Sequence, residues 1–466
     1  MAGATQLHVA MFPFLAYGHL IPFLDLAKLL ALKGHRVSFI STPGNLRRLR
    51  SPALPPLVEF ISFPLPRHHN LPENMESTND TTPDKISYLT LAYDALQRPL
   101  SEFLRTTAPD WIIYDFAPYW IPGIAARHGV SCAFFCAFPS YSIAYFGPTS
   151  LSVDVVDPRC DSPENFAVPP EWVPFPTKVV YRLHECRWVM GFLQESSGAI
   201  PGRFRMGSAI RGCDAFLVRG TDELESHWFD VLRKLHRRDV IPVGLMPVSK
   251  EHRGDNLSPE MEGWLNEKEP GSVVYVAFGS EKTPGRSEVV ELARGLEMSG
   301  SPFFWVLRHQ SSELPDGFEE RVRGRGMVWR GWSPQLRILG HRSVGGFLTH
   351  CGLSSVKEAL LFGLPLIMLP VGGDEPLTAR IMSEEMKVGV EIDRDEEDGS
   401  FVGESVAGSV RSVMGVEAGK GYREKAAEMK KIYGDEELQE KYTDRLVEYL
   451  RRRRHPGNVG KSHQVG

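Results

Sequence analysis

Cysteine is scarce in this chain. Six occur in 466 residues: Cys132, Cys136, Cys160, Cys186, Cys213 and Cys351. None is spaced as CxxC, so neither a disulfide framework nor a zinc site is expected. The pattern suits a reducing compartment. An excess of positive charge is also missing. Lys and Arg total 53 against 58 Asp and Glu, a formal charge of −5. No long basic block occurs, which argues against a nucleic-acid partner. The arginines at 451–454 end a helical pattern and read as a solvated helix face. Long apolar runs are absent too, so no membrane span is expected. Residues 7–32 are apolar, but His19, Asp25 and Lys28 interrupt them. No basic residue precedes that stretch and no small-residue cleavage site follows, so a cytoplasmic chain is expected. Finally, no GxGxxG with a following ribose-binding acid opens either half, which argues against an NAD-dependent oxidoreductase.

What is present is alternation. At 466 residues the chain suits two domains. In the first half, short apolar runs predict strands at 7–12, 37–40, 58–63, 111–114 and 132–135. Pro13 to Gly18 breaks the first of them. From His19, apolar residues recur at helical spacing up to Gly34, and further helices are expected at 86–104 and 121–128. A Gly-, Pro- and Ser-containing stretch at 243–259 reads as a linker. A second series predicts strands at 273–278, 303–307, 346–349 and 366–369, with helices at 288–298, 355–362 and 376–385. A strong amphipathic helix is expected at 436–453, and a tail without regular structure at 455–466. The expected organisation is 1–242, linker 243–259, 260–435, and a helix at 436–454 returning to the first domain. Strands separated by helices imply an α/β fold of two Rossmann-like, doubly wound domains. Their strand ends face a cleft, which suits a reaction of two substrates.

The most informative stretch is 332–375: WSPQLRILGHRSVGGFLTHCGLSSVKEALLFGLPLIMLPVGGDE. It holds W-x-P-Q, H-x-x-x-G, F-x-T-H-C-G, S-x-x-E, G-x-P and a terminal Asp at fixed spacing. This resembles the donor-binding signature of plant family-1 UDP-glycosyltransferases. The Tyr17-Gly18-His19 turn, the two-half layout and the final helix match as well. The resemblance implies a GT-B type fold and an inverting transfer of a sugar from UDP to a small-molecule hydroxyl. It implies a UDP-sugar as co-substrate and no metal. A monomer is expected.

The resemblance also assigns roles. The equivalent of Trp332 stacks the uracil, and Gln335 frames the base with the neighbouring backbone, where Ser333 lies. Glu358 has two acceptor oxygens suited to paired ribose hydroxyls. His350, Gly352, Ser354 and Ser355 stand where a strand turns into a helix, whose free N–H groups favour a diphosphate. Ser280, after another strand, is a second phosphate contact. Asp374 accepts from sugar hydroxyls. Three positions depart from the family pattern. Leu353-Ser354 replaces the usual Trp-Asn, and Glu375 replaces Gln. Ser354 thereby loses an amide donor, and Glu375 adds an acidic acceptor beside Asp374. Two acids with no matching Arg disfavour a uronic acid donor. Apolar Leu353 leaves a deoxysugar such as rhamnose open, with UDP-glucose the default.

An acceptor hydroxyl needs a base as its bond to sugar C1 forms. His19, in the turn after the first strand, matches the family base. Asp115, after the strand at 111–114, matches its orienting partner. Phe14, Tyr88, Phe116, Tyr119, Phe138 and Tyr145 can furnish an aromatic acceptor pocket. The run from Phe12 to Thr42 looks like the group that adds sugar to an existing plant glycoside. The competing reading is a degenerate transferase that binds UDP-sugar without turnover.

Overall fold

The alternation closes into two separate parallel sheets. The computed structural model describes residues 6–51, 54–193, 200–246, 256–279, 284–307 and 314–454. The first sheet contains β1 (His8–Phe12), β2 (Arg36–Ser41), β3 (Val58–Ser62), β4 (Trp111–Tyr114), β5 (Ser131–Cys136), β6 (Ala215–Val218) and β7 (Val240–Pro242), in the order β3-β2-β1-β4-β5-β6-β7. The second contains β8 (Val273–Ala277), β9 (Phe303–Leu307), β10 (Gly326–Arg330), β11 (Val344–Thr349), β12 (Leu366–Met368) and β13 (Gly389–Glu391), in the order β10-β9-β8-β11-β12-β13. Every pairing within these sheets is parallel. Such strands are covered on both faces, which is why they read as unbroken apolar runs. The core strands β4, β5, β8 and β9 are buried along their whole length.

In each sheet the chain first winds outward and then returns to the other side of its first strand. The first reversal lies between β1 and β4, the second between β8 and β11. Side chains leaving adjacent strands there diverge around a crevice, the usual ligand position of such sheets. Phe12 pairs with Tyr114, and Ala277 with Thr349, so both crevices open at the carboxyl ends of the strands.

Several expected elements change on inspection. Strands β6, β7, β10 and β13 were not predicted. β7 and β13 have only three residues each, too few for a periodic signal. The single helix expected at 86–104 is two, Ile86–Asp94 and Gln97–Thr107, broken at Ala95 and Leu96. The helix expected from His19 begins at Tyr17, so His19 occupies a first helical turn, not the preceding loop. The helix expected at 376–385 is Glu375–Arg380 followed by a π-type turn, Ile381–Glu385. Most of the stretch expected as a linker, and the expected tail, lie outside the described residues.

The last helix, Glu436–Arg453, lies against the first sheet. Leu446, Val447 and Leu450 share a buried cluster with Leu7, Val9 and Trp111. The Trp111 indole donates to the Leu450 carbonyl at 2.9 Å. Tyr442 donates to Glu223 and accepts from the Asp222 N–H, both at 2.7 Å. Leu446 is fully buried. Leu446→Ala is therefore expected to cost about 2–5 kcal/mol, read as a lower midpoint in urea unfolding.

Candidate active site between the two sheets

The first crevice holds His19 and Asp115. Asp115 follows β4 directly and is buried. Three donors converge on it. His19 Nδ1 lies 2.7 Å from Oδ2, the Phe14 N–H donates to Oδ2 at 3.1 Å, and the Phe116 N–H donates to Oδ1 at 2.7 Å. With a carboxylate on Nδ1, the assigned tautomer carries its proton there and its lone pair on Nε2. The imidazole is ringed by Phe14, Phe116 and Phe138, with centroids 5.8, 5.4 and 5.1 Å away. The other three expected pocket aromatics have other ring partners. Tyr88 stacks on His68, and Tyr119 meets Phe204. Tyr145 is fully buried against Phe166 and Tyr181, so it is core and not lining.

The second crevice is built at the start of the helix Leu353–Phe362, with Gly352 as its N-cap residue. His350 is the first residue after β11 and is buried. The backbone of Gly279, after β8, passes so close that a Cβ there would lie 2.7 Å from His350 Cε1. A Cβ on Gly352 would lie 2.5 Å from His350 Nε2. Both glycines are thus required by the imidazole between them. Ser354 and Ser355 are in the first helical turn, where backbone N–H groups have no helical acceptor. Ser280 lies outside the described residues.

Trp332 presents an open indole, 57% exposed, and its carbonyl is held at 3.0 Å by the Trp329 indole N–H. Ser333 is buried, 3.3 Å from the Tyr275 hydroxyl. Gln335 spans the gap to the helix. It accepts from Tyr275 at 3.4 Å and donates to Ser355 at 3.3 Å and to Glu358 at 2.7 Å. Its amide therefore orients Glu358. Burial pushes the Glu358 carboxyl up to about 7, against the pull of the Gln335 hydrogen bond and the charge of Arg219.

Asp374 begins the helix Glu375–Arg380. Glu375 follows it, with one carboxylate oxygen tied to the preceding loop. Its Oε2 accepts the Val371 and Gly372 N–H groups at 3.0 and 3.1 Å, and its Oε1 lies 4.0 Å from His350 Nε2. It holds the loop together, and the donors around it offset the negative charge it brings. Leu353 is half-buried at the helix start.

Sequence reasoning missed the residues that join the halves here. The Tyr181 hydroxyl donates to the Gly373 carbonyl at 3.0 Å, and Tyr141 to Thr378 at 3.0 Å. Buried Arg380 reaches both oxygens of Glu185 at 2.8 Å and also pairs with Glu391. Arg219, at the end of β6, donates to Ser354 at 3.1 Å. It lines a cavity of about 170 Å³ with Asp25, Lys357, Glu358 and Tyr433. Only the end of an unpredicted strand marks Arg219 in the sequence. Among the described residues there is no cluster of metal ligands, and no helix is long and apolar enough to cross a membrane.

Two like sheets, each with a crevice at its own reversal and facing the other, define the GT-B architecture of sugar-nucleotide transferases. Residues 240–454 match the family described as UDP-glucoronosyl and UDP-glucosyl transferase. The chain is 47% identical over 455 residues to UDP-glycosyltransferase 91D1 of Stevia rebaudiana, covering 96% of this chain and 92% of that one. It is 39% identical to soyasaponin III rhamnosyltransferase of Glycine max, over 97% and 96% of the two chains. Its fold matches the Medicago truncatula glycosyltransferase UGT71G1 complexed with UDP-glucose, at a TM-score of 0.77, 21% identity and 96% and 98% coverage. The chain belongs to the plant UDP-glycosyltransferases, and it is an enzyme that transfers sugar from a UDP-sugar to small metabolites.

The raised Glu358 carboxyl has a consequence for stability. Its folded value of about 7 exceeds the ordinary 4.5, so the folded state binds the extra proton between those values. Its contribution is full below about pH 4.5 and is lost as pH rises through about 7. Glu358→Gln cannot titrate. Its unfolding midpoint relative to wild type is expected to be higher at about pH 8 than at about pH 5, and a constant offset would refute the shift.

Proposed function

We propose that the enzyme is an inverting transferase in which residues 1–242 hold the acceptor and 260–435 hold the UDP-sugar. The observation that carries this reading is the His19–Asp115 pair, 2.7 Å apart at the reversal of the first sheet. The acceptor hydroxyl attacks sugar C1, the C1–O bond to UDP breaks, and the hydroxyl proton passes to His19 Nε2. Asp115 orients the imidazole and stabilises its cation. Direct attack inverts C1. Phe14, Phe116 and Phe138 give the acceptor a partly apolar berth.

On the donor side, Trp332 offers its open face to uracil, and Glu358 offers ribose the oxygen that Gln335 leaves available. The first-turn N–H groups at Ser354 and Ser355, with His350 and Gly352, face the diphosphate, and Ser280 is read from the sequence as a second phosphate contact. Asp374 accepts from sugar hydroxyls, and Leu353 borders the same end. These charges and dipoles supply what a metal would, so activity in a chelator is expected to match activity without it. The enzyme is read as cytoplasmic and monomeric.

Glucose is the preferred donor sugar on this reading, and the acceptor is a terpenoid or flavonoid, or the sugar of its glycoside. The relative named as a soyasaponin rhamnosyltransferase keeps UDP-rhamnose as the second donor to test. A mass-spectrometric assay with UDP-glucose, UDP-rhamnose, UDP-xylose and UDP-glucuronate decides the sugar from the mass gained. Paired aglycone and monoglucoside acceptors decide the acceptor class. Product from the monoglucoside alone supports sugar-on-sugar transfer; product mainly from the aglycone overturns it. His19→Ala is expected to lose about 10²–10⁴ in kcat. Retained turnover in that variant would exclude His19 as the base. Glu375→Gln is expected to raise glucose transfer relative to rhamnose. An unchanged ratio would show that this position does not set donor choice. A wild-type chain that binds UDP-sugar without turnover on any pair would instead be the degenerate transferase.

A further inference from the structure

Arg219 is an unusual cation. It leaves β6 in the N-terminal half, yet its guanidinium lies at the first turn of the Leu353–Phe362 helix in the other half. The residue is only 4% exposed. Its Nη1 donates to Ser354 Oγ at 3.1 Å, while its Nε is buried without a hydrogen-bond partner. Asp25 and Glu358 are near enough to favour its charge, but neither forms a direct ion pair with it among the described residues. A buried guanidinium without a paired anion is costly, because desolvation is not repaid.

The groups around it do not settle that charge. Asp25 faces it from the helix Tyr17–Leu32, Lys357 and Glu358 from the Leu353–Phe362 helix, and Tyr433 from the helix Lys420–Tyr433; behind these, Lys28 acts on Asp25 and Glu225 on Lys357. Burial pushes Asp25 up to about 6 and Glu358 up to about 7, so near neutrality Asp25 stays mostly charged and Glu358 only partly. Burial also pulls Lys357 well down. Arginine does not yield its proton in this way. Arg219 therefore keeps its charge, and it stands beside Ser354.

Ser354 is one of the positions where this chain departs from its family, with a short hydroxyl where an amide is usual. We propose that Arg219 makes up that loss from the opposite half, by donating to the diphosphate of the bound UDP-sugar and of the departing UDP. Its fork of donors suits phosphate oxygens. Ser354 holds the fork in place until the nucleotide arrives. The donor site is thus completed by both halves, so diphosphate binding draws them together. This inference rests on the donor site proposed above.

The test is calorimetric titration of the full chain with UDP and with uridine, which lacks the diphosphate. Arg219→Met keeps the length of the side chain and removes the charge. It is expected to weaken UDP between about tenfold and about a hundredfold. Uridine affinity should stay within about twofold of wild type. Ser354→Ala, which leaves the cation in place, should weaken UDP less than Arg219→Met does. Equal losses of UDP and uridine would mean that Arg219 only supports the fold or the nucleoside contacts, and would overturn the proposal. So would unchanged UDP affinity. If Arg219→Met does not fold, Arg219→Lys decides. A fall in its ratio of UDP to uridine affinity supports the contact, and an unchanged ratio overturns it. A wild-type chain that binds UDP no better than uridine would overturn the donor-site reading itself, and this inference with it.

Discussion

The structure depends on the parallel pairing of β1 with β4. In that register Phe12 lies opposite Tyr114, so the chain leaves both strands at the same height. From there one path enters a helix that carries His19 in its first turn, and the other delivers Asp115 at once. Two residues 96 positions apart in the sequence then need no loop rearrangement to meet at 2.7 Å. Burial of Asp115 makes the arrangement strict, because an isolated buried carboxylate is expensive. The Phe14 and Phe116 N–H groups meet part of that cost, and the imidazole meets the rest. The same geometry recurs where β8 meets β11, with glycine backbone pressed against His350 in place of a carboxylate.

Much of this was legible in the sequence, for physical reasons. Buried parallel strands such as 111–114 and 303–307 are continuous apolar runs and could be bounded closely. The last helix has a long amphipathic period, and its observed limits are those expected. Within the stretch 332–375 the fold brings Gln335 to Ser355 and Glu358, and His350 to Gly352, at one helix start. Short elements such as β7 and β13 carry no period and passed unseen. The break at Ala95 and Leu96 is marked by no Gly, and Pro99 lies just beyond it in a first helical turn, so the apolar pattern ran on undisturbed.

What the sequence concealed was mostly long-range. Nothing local indicates that Arg219 will meet Ser354, or that Arg380 will meet Glu185, because each pair joins the two halves. Glu375 is instructive in another way. Read along the chain, it adds an acid beside Asp374. In the fold, two backbone N–H groups claim one of its oxygens, which ties it to the loop before the helix.

The final helix leaves a last consequence. The chain passes from the first sheet to the second after β7, and crosses back near Gly434 to lie against β4 through the Trp111–Leu450 contact. The backbone therefore crosses between the halves twice, beside the side-chain contacts of Tyr181, Tyr141, Arg380 and Arg219. A nick in the first crossing would still leave the second half fastened to the first by its own terminal helix.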